Sequence, residues 1–432
     1  MTGETGASVQ EVSIMTSPVR ISESILATFA ITLLCMLAAI SSQPAQAQSL
    51  TVLYSFTDNA DGAKPYAGVT TDGAGNLYGT TVAAGDFGGE CSMGSTPGCG
   101  VVYKLTQKNS HWLYENLYTF HGPDGEYPQA RVIFGPDGTL YGTTIGGGPS
   151  ANGVIFRLTP PPTFCRSVSC PWTETLLQDF QTGNDGAEPA SEVLFDQAGN
   201  FYGTAYSGGT AGYGVVYEVT PSGGDWIYSV LYSFNGGQDG RGPWAGLTFD
   251  QAGNLYGTTA GGGGPDYGTV YELTPSGGSW QETILHAFVL TDGTYPYGGV
   301  TLNQGNLYGG TSINGECGIG TLYELVPGNG EFTRLHCFPY HDGGEGGPYA
   351  SLSMDSAGNL YGTARGSSSG CGEVFELTPQ GGGWTYTTLH TFEGGDGCQP
   401  ISNVLFDANG NLFGTTSAGG ANGQGEVWEI TR

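Results

Sequence analysis

Seven aspartates stand in a shared motif, Asp-Gly followed closely by Pro. The copies are Asp61-Gly62…Pro65, Asp124-Gly125…Pro128, Asp185-Gly186…Pro189, Asp239-Gly240…Pro243, Asp292-Gly293…Pro296, Asp342-Gly343…Pro348 and Asp396-Gly397…Pro400, the sixth being two residues longer. Seven carboxylates gathered into a ring would suit a cation or a polyhydroxylated ligand. The same residues also have a turn-forming reading: Asp opens the turn, Gly supplies φ > 0, and Pro starts a strand where no ladder donor is required. The alternating carboxylates and closing Glu of a helix–loop calcium site are missing, so calcium rests on charge alone and no cofactor is expected.

Other chemistry-bearing residues are less promising. His286, His336 and His390 look like a metal cluster, yet each occupies the slot held elsewhere by Tyr54, Tyr118 and Tyr232, so they belong to separate repeats and cannot converge on one ion. Gly366-Ser367-Ser368-Ser369-Gly370 fits a nucleophile-elbow pattern but lacks the helix that must follow it. No catalytic residue and no metal site are expected.

Nine cysteines are present. Cys35 lies in an apolar run, Ile25 to Ile40, preceded by Arg20 and followed by Ala45-Gln46-Ala47, the pattern of a secretory signal cleaved after residue 47. Cleavage leaves Cys91, Cys99, Cys165, Cys170, Cys317, Cys337, Cys371 and Cys398, an even set that reads as disulfides in an exported chain. Cys91 with Cys99, and Cys165 with Cys170, are close enough to staple their own loops. Cys317–Cys337 and Cys371–Cys398 would complete the set, but connectivity does not follow from sequence. The spacings match no zinc pattern.

The elements that must position these residues repeat with them. Leu247-Thr248-Phe249-Asp250-Gln251-Ala252-Gly253-Asn254-Leu255-Tyr256-Gly257-Thr258-Thr259 recurs in seven versions, centred on Tyr78, Tyr141, Tyr202, Tyr256, Tyr308, Tyr361 and Phe413. Each reads as a β-hairpin within a unit of four strands. In the fourth unit, strand a is expected over 246–250, b over 254–259, c over 268–275 and d over 280–288. Trp112, Trp172, Trp226, Trp280, Phe332 and Trp384 open strand d, a position for packing between units. The last unit ends after strand c, and Leu50 to Phe56 supplies the missing strand d. That split predicts ring closure: an all-β, seven-bladed propeller whose last blade is completed by the N-terminal strand.

The blocks Gly-Asn-Leu-Tyr-Gly-Thr-Thr, Gly-x-Val-Tyr-Glu-Leu-Thr-Pro and Leu-Tyr-Ser-Phe closely resemble the Gloeo/Verruco (GloVer) tandem repeat of exported bacterial proteins. A weaker similarity runs to NHL-type propellers. The first resemblance implies export and repetition; the family carries no established activity. The domain plan is a signal over 1–47 and one propeller over 48–432.

A formal charge of −28 with eleven basic residues argues against nucleic acid. No membrane span is expected after signal cleavage, and a monomer, secreted or periplasmic, is expected. The reading is a binding or interaction scaffold for an extracellular glycan or protein. Its ligands would meet the face carrying the d–a turns, which should circle the channel mouth, and the variable b–c loops. The alternatives are a propeller enzyme of lyase or lactone hydrolase type with a channel metal, or a purely structural envelope protein. The near-identical repeats favour a uniform ring over an asymmetric site.

Overall fold

The repeated turn folds around its own aspartate. In the fourth repeat, one Asp250 oxygen accepts the backbone N–H groups of Ala252 (2.8 Å) and Asn254 (2.9 Å). The other accepts the Asn254 amide (2.9 Å) and the Tyr256 hydroxyl (3.2 Å). Burial alone would raise this carboxyl; the hydrogen bonds outweigh it and hold Asp250 below the usual carboxylate range. Asp72, Asp196 and Asp355 repeat the arrangement. Gly257, after the Tyr, answers a different constraint, because a Cβ there would lie 2.4 Å from the Tyr271 hydroxyl on the next strand.

The computed structural model describes residues 48–85, 91–93, 96–162, 171–316, 318–339, 346–366 and 370–432. Among them are seven four-stranded antiparallel sheets, the blades, with no helix. Strands run a to d outward from a central channel. In blade 4 they are Thr248–Phe249, Leu255–Thr259, Thr269–Ser276 and Ser279–Ala287. Strands b, c and d fall where the sequence places them. Strand a is shorter than the expected 246–250, and just before it the chain bonds to a neighbouring blade: the Ala245 carbonyl accepts the Thr204 hydroxyl of blade 3 at 3.0 Å.

That bond recurs around the ring. The Thr after the Tyr-Gly of strand b (Phe-Gly in blade 7) donates to a carbonyl of the next blade: Thr80 to Ala130, Thr143 to Ser191, Thr258 to Gly298, Thr363 to Ser402 and Thr415 to Ala67, at 2.8 to 3.1 Å. The acceptor is always the second residue after the motif proline. Blade 5 departs, with Gly310 in place of Thr; there Ser312 donates to the Pro348 carbonyl at 2.6 Å.

The core lies between blades, as in the cluster of Tyr202 and Val216 from blade 3 with Leu247, Leu255, Tyr271 and Leu273 from blade 4. Register corrects one expectation. Phe332 pairs with Leu325 as Glu282 pairs with Leu273, whereas Trp280 pairs with Pro275. The shorter c–d hairpin of blade 5 therefore moves Phe332 out of the Trp position, and it stacks on His286 with ring centroids 4.3 Å apart. Blade 7 closes as expected: Ser49–Ser55 pairs antiparallel with Glu426–Thr431, outside Leu412–Thr416 and Leu405–Phe406.

Candidate functional site

The motif aspartates are anchored in their own turns. Asp124 accepts the Tyr118 hydroxyl at 2.6 Å and the His121 N–H at 2.7 Å. Asp61 holds Tyr54 and Thr57, Asp185 holds the Gln181 N–H, and Asp239 holds Tyr232 and Asn235. Asp292 and Asp396 meet His286 at 3.0 Å and His390 at 2.7 Å. Each described motif aspartate thus faces the outer strand d, and none lines the cavities of the channel. Asp342 and Ser367–Ser369 lie outside the described residues. Gly240 shows why Gly follows Asp: φ is +97°, and a Cβ would fall 2.3 Å from the Thr259 hydroxyl. Disulfides join Cys91 to Cys99 and Cys371 to Cys398. Cys337 is also disulfide-bonded, while Cys165, Cys170 and Cys317 lie outside the described residues.

The residues after the motif proline turn toward the axis. In blades 2, 4 and 7 they alternate between half-buried and buried, as an extended chain does when one side faces a cavity. The fourth after Pro is always apolar and buried: Val69, Val132, Val193, Leu247, Val300, Leu352 and Val404. The first and third point into a cavity of about 490 Å³ at the mouth of the channel. First positions give Tyr66, Trp244, Tyr297 and Tyr349, with Gln129, Ala190 and Ile401 in the remaining blades. Third positions give Gly68, Arg131, Glu192, Gly246, Ser351 and Asn403. The residue leaving strand b adds Tyr206, Arg365 and Ser417.

The backbone that fixes these side chains is strained. The residue before the proline holds a left-handed φ at Lys64, Tyr127, Glu188, Tyr295 and Gln399, between 56° and 59°. Its N–H reaches the preceding blade and its carbonyl receives the strand b exit, as in Glu188, which donates to Asn152 (2.9 Å) and accepts from Tyr206 (3.1 Å). A non-Gly residue in this region costs about 1–3 kcal/mol and persists only where its surroundings over-determine it, as these paired bonds do.

The cavity is one-sided. On blades 3 to 6, Tyr206 and Trp244 meet edge-on at 5.2 Å, Trp244 and Tyr297 at 6.4 Å, and Tyr297 stacks on Tyr349 at 5.3 Å and on Tyr295 at 5.9 Å. The Arg365 guanidinium sits 5.2 Å from the Tyr349 ring. Burial raises the Tyr66 phenol, and Arg365 draws it partly back. On blades 2 and 3, Arg131 Nε donates to Glu192 at 2.8 Å, with side chains 20% and 32% exposed. Arg131, Glu192, Gly246, Ser351 and Asn403 also line a second cavity of about 390 Å³ deeper in the channel, so they form a floor between the two.

The family model of the Gloeobacter/Verrucomicrobia repeat matches residues 39–165, 83–288, 167–346 and 265–432, which together span the blades. The chain belongs to the Gloeobacter/Verrucomicrobia repeat family. No curated protein matches it. Solved structures that resemble this repeat-family propeller include a gluconolactonase of Xanthomonas campestris, 12% identical, with 91% of this chain and 92% of that one covered at a TM-score of 0.44. Another is a protein of unknown function from Dyadobacter fermentans, 12% identical, with 89% and 100% covered at 0.43. A third, a provisionally named oxidoreductase (glucose dehydrogenase) of Thermus thermophilus, is 14% identical with 89% and 100% covered at 0.43. Likenesses at this level assign no activity to the repeat-family chain.

The expectation of a uniform ring fails at these positions. The blades repeat their frame but differ at the first and third residues after proline and at the strand b exit. The signal is present in the sequence: within otherwise matching repeats, Gln129, Trp244, Tyr297 and Ile401 fill equivalent positions. It is masked by the invariant Asp, Gly and Pro beside it, which define the repeat and draw attention away from the positions that vary.

Proposed function

We propose that this repeat-family propeller is an exported binding scaffold that takes its ligand in the channel mouth. The observation that carries the reading is asymmetry built on repeats: four aromatic side chains stand at the first position after proline and an Arg–Glu pair at the third. Such a cavity, apolar on one wall and polar at its base, has the volume and composition of small-ligand pockets. Its disulfides and family membership support a place outside the cytoplasm, periplasmic or extracellular. Among the described residues no helix is long and apolar enough to cross a membrane.

The test is a thermal-shift screen of oligosaccharides, short peptides and small polar metabolites, with each hit remeasured on Trp244→Ala. Stabilisation that disappears in the variant supports the channel mouth. Hits that keep their full shift in Trp244→Ala would place binding elsewhere and end this proposal.

A further inference from the structure

The floor of the outer cavity indicates what kind of group reaches it. It is made by side chains leaning over glycines of neighbouring blades. A Cβ on Gly68 would lie 2.3 Å from Asn403 Oδ1, one on Gly246 would lie 3.1 Å from Glu192 Cγ, and one on Gly299 would lie 3.1 Å from Ser351 Oγ. These glycines are therefore not vacant space; they seat polar groups of adjacent blades. The result is a recess narrowed beneath by these side chains and open above, and such a recess admits the end of a chain where a groove would admit its middle.

The Arg131–Glu192 contact uses Nε and one carboxylate oxygen. No other hydrogen bond engages either side chain among the described residues, so the two terminal guanidinium nitrogens and Glu192 Oε1 remain for a ligand. Guanidinium only donates and carboxylate only accepts, whereas a hydroxyl does both. Two adjacent hydroxyls can accept from Arg131 while donating to Glu192, a charge-assisted arrangement stronger than neutral hydrogen bonds. Trp244 stands half-buried at the first position of blade 4, next to the Gly246 on which Glu192 rests. It adds an aromatic surface for the apolar face of a ring bearing those hydroxyls.

Resting on the channel-mouth reading, we infer that the ligand is a carbohydrate bound by its terminal residue, with a vicinal diol on Arg131 and Glu192 and the sugar ring against Trp244. A peptide end would offer one carboxylate or ammonium to this pair, and either would be repelled by one partner as it was attracted by the other.

The experiment is a glycan array probed with the exported chain, run in duplicate with one copy oxidised by periodate, which cleaves vicinal diols. Wild type, Trp244→Ala and Glu192→Gln are compared after melting curves establish that the variants fold. The expected result is binding to intact glycans that share a terminal residue, lost on oxidation and weakened about tenfold or more in either variant. Binding that survives oxidation yet fails in Trp244→Ala overturns the diol assignment and leaves the channel mouth standing. Binding indifferent to oxidation and to both variants overturns both readings. An array with no bound glycan, beside a peptide hit in the thermal screen that depends on Trp244, overturns the carbohydrate and keeps the site.

Discussion

Glu282, on the outer strand of blade 4, lies beside Asp239 and the Tyr232 hydroxyl. Burial, and then the Asp239 charge, push its carboxyl up to about 7, and among the described residues one buried oxygen each of Glu282 and Asp239 has no hydrogen-bond partner. Glu174 repeats this beside Asp124, also up to about 7. Below the unfolded value near 4.5 the carboxyl is neutral in both folded and unfolded states. Between 4.5 and about 7 the unfolded chain ionises and the folded one does not, so stability falls as pH rises, and above 7 the full cost persists. Glu282→Gln should therefore raise the melting temperature at pH 8 and change it little below pH 4.5. The gain is about 1 kcal/mol, because the half-exposed site is screened by solvent. A pH-independent difference in melting temperature would count against it. His286 and His336 act the other way: burial lowers both, His336 to about 4, so acid below their unfolded value destabilises the fold. Wild-type stability consequently peaks where the two trends cross, and single variants separate them.

At the scale of elements, the inter-blade hydroxyl bond sets which repeat residues are structural. Thr258→Val removes the bond to Gly298 and leaves a carbonyl unpaired at a fully buried site, which should cost about 1–3 kcal/mol in denaturant unfolding. Blade 5 offers the reverse experiment. Restoring the repeat residue by Gly310→Thr looks like a consensus repair, but a Cβ there would lie 2.4 Å from the Pro348 ring. It should destabilise by about 1–3 kcal/mol, and a stabilised variant would refute the packing argument. The Cys371–Cys398 bridge ties the b–c loop of blade 6 to the turn that carries Gln399 into the cavity. Its loss in a double Ser variant should lower stability by about 3–4 kcal/mol in the chain-entropy model, for a sequence separation of 27, and weaken ligand binding by loosening the rim. Legibility differs sharply between strands and the bonds that join blades. Strands b to d could be read from alternation and turn residues, since local pairing follows local sequence. The inter-blade bonds could not, because the Ala245 carbonyl is claimed by Thr204 of another blade, a contact that no window of sequence contains.

For the whole molecule, closure was the feature most open to reading, since a unit split between the two ends of a chain fits a ring and little else. Phe56 is fully buried and Ser55 donates to Glu426 at 2.6 Å, so the first strand is part of the packing. A chain beginning after Phe56 should melt at lower temperature with reduced cooperativity and associate through the bared edge of Glu426–Thr431. Calorimetry and size exclusion would check this, and an unchanged monomeric melt would contradict it. The cavity was harder to read: Trp244 and Arg131 lie far apart in sequence and line one cavity only because the blades curve into a ring. The threonine hydroxyls of that ring bond to main-chain oxygens, so the blades are joined by atoms that every amino acid supplies. The side chains on either side of each acceptor can then change without loosening the ring. Selection for a ligand and selection for stability act on different atoms of the same loop, and a duplicated blade can diverge at its lining as soon as it is added. A lineage of such chains can explore new ligands one blade at a time, from a starting point that already folds.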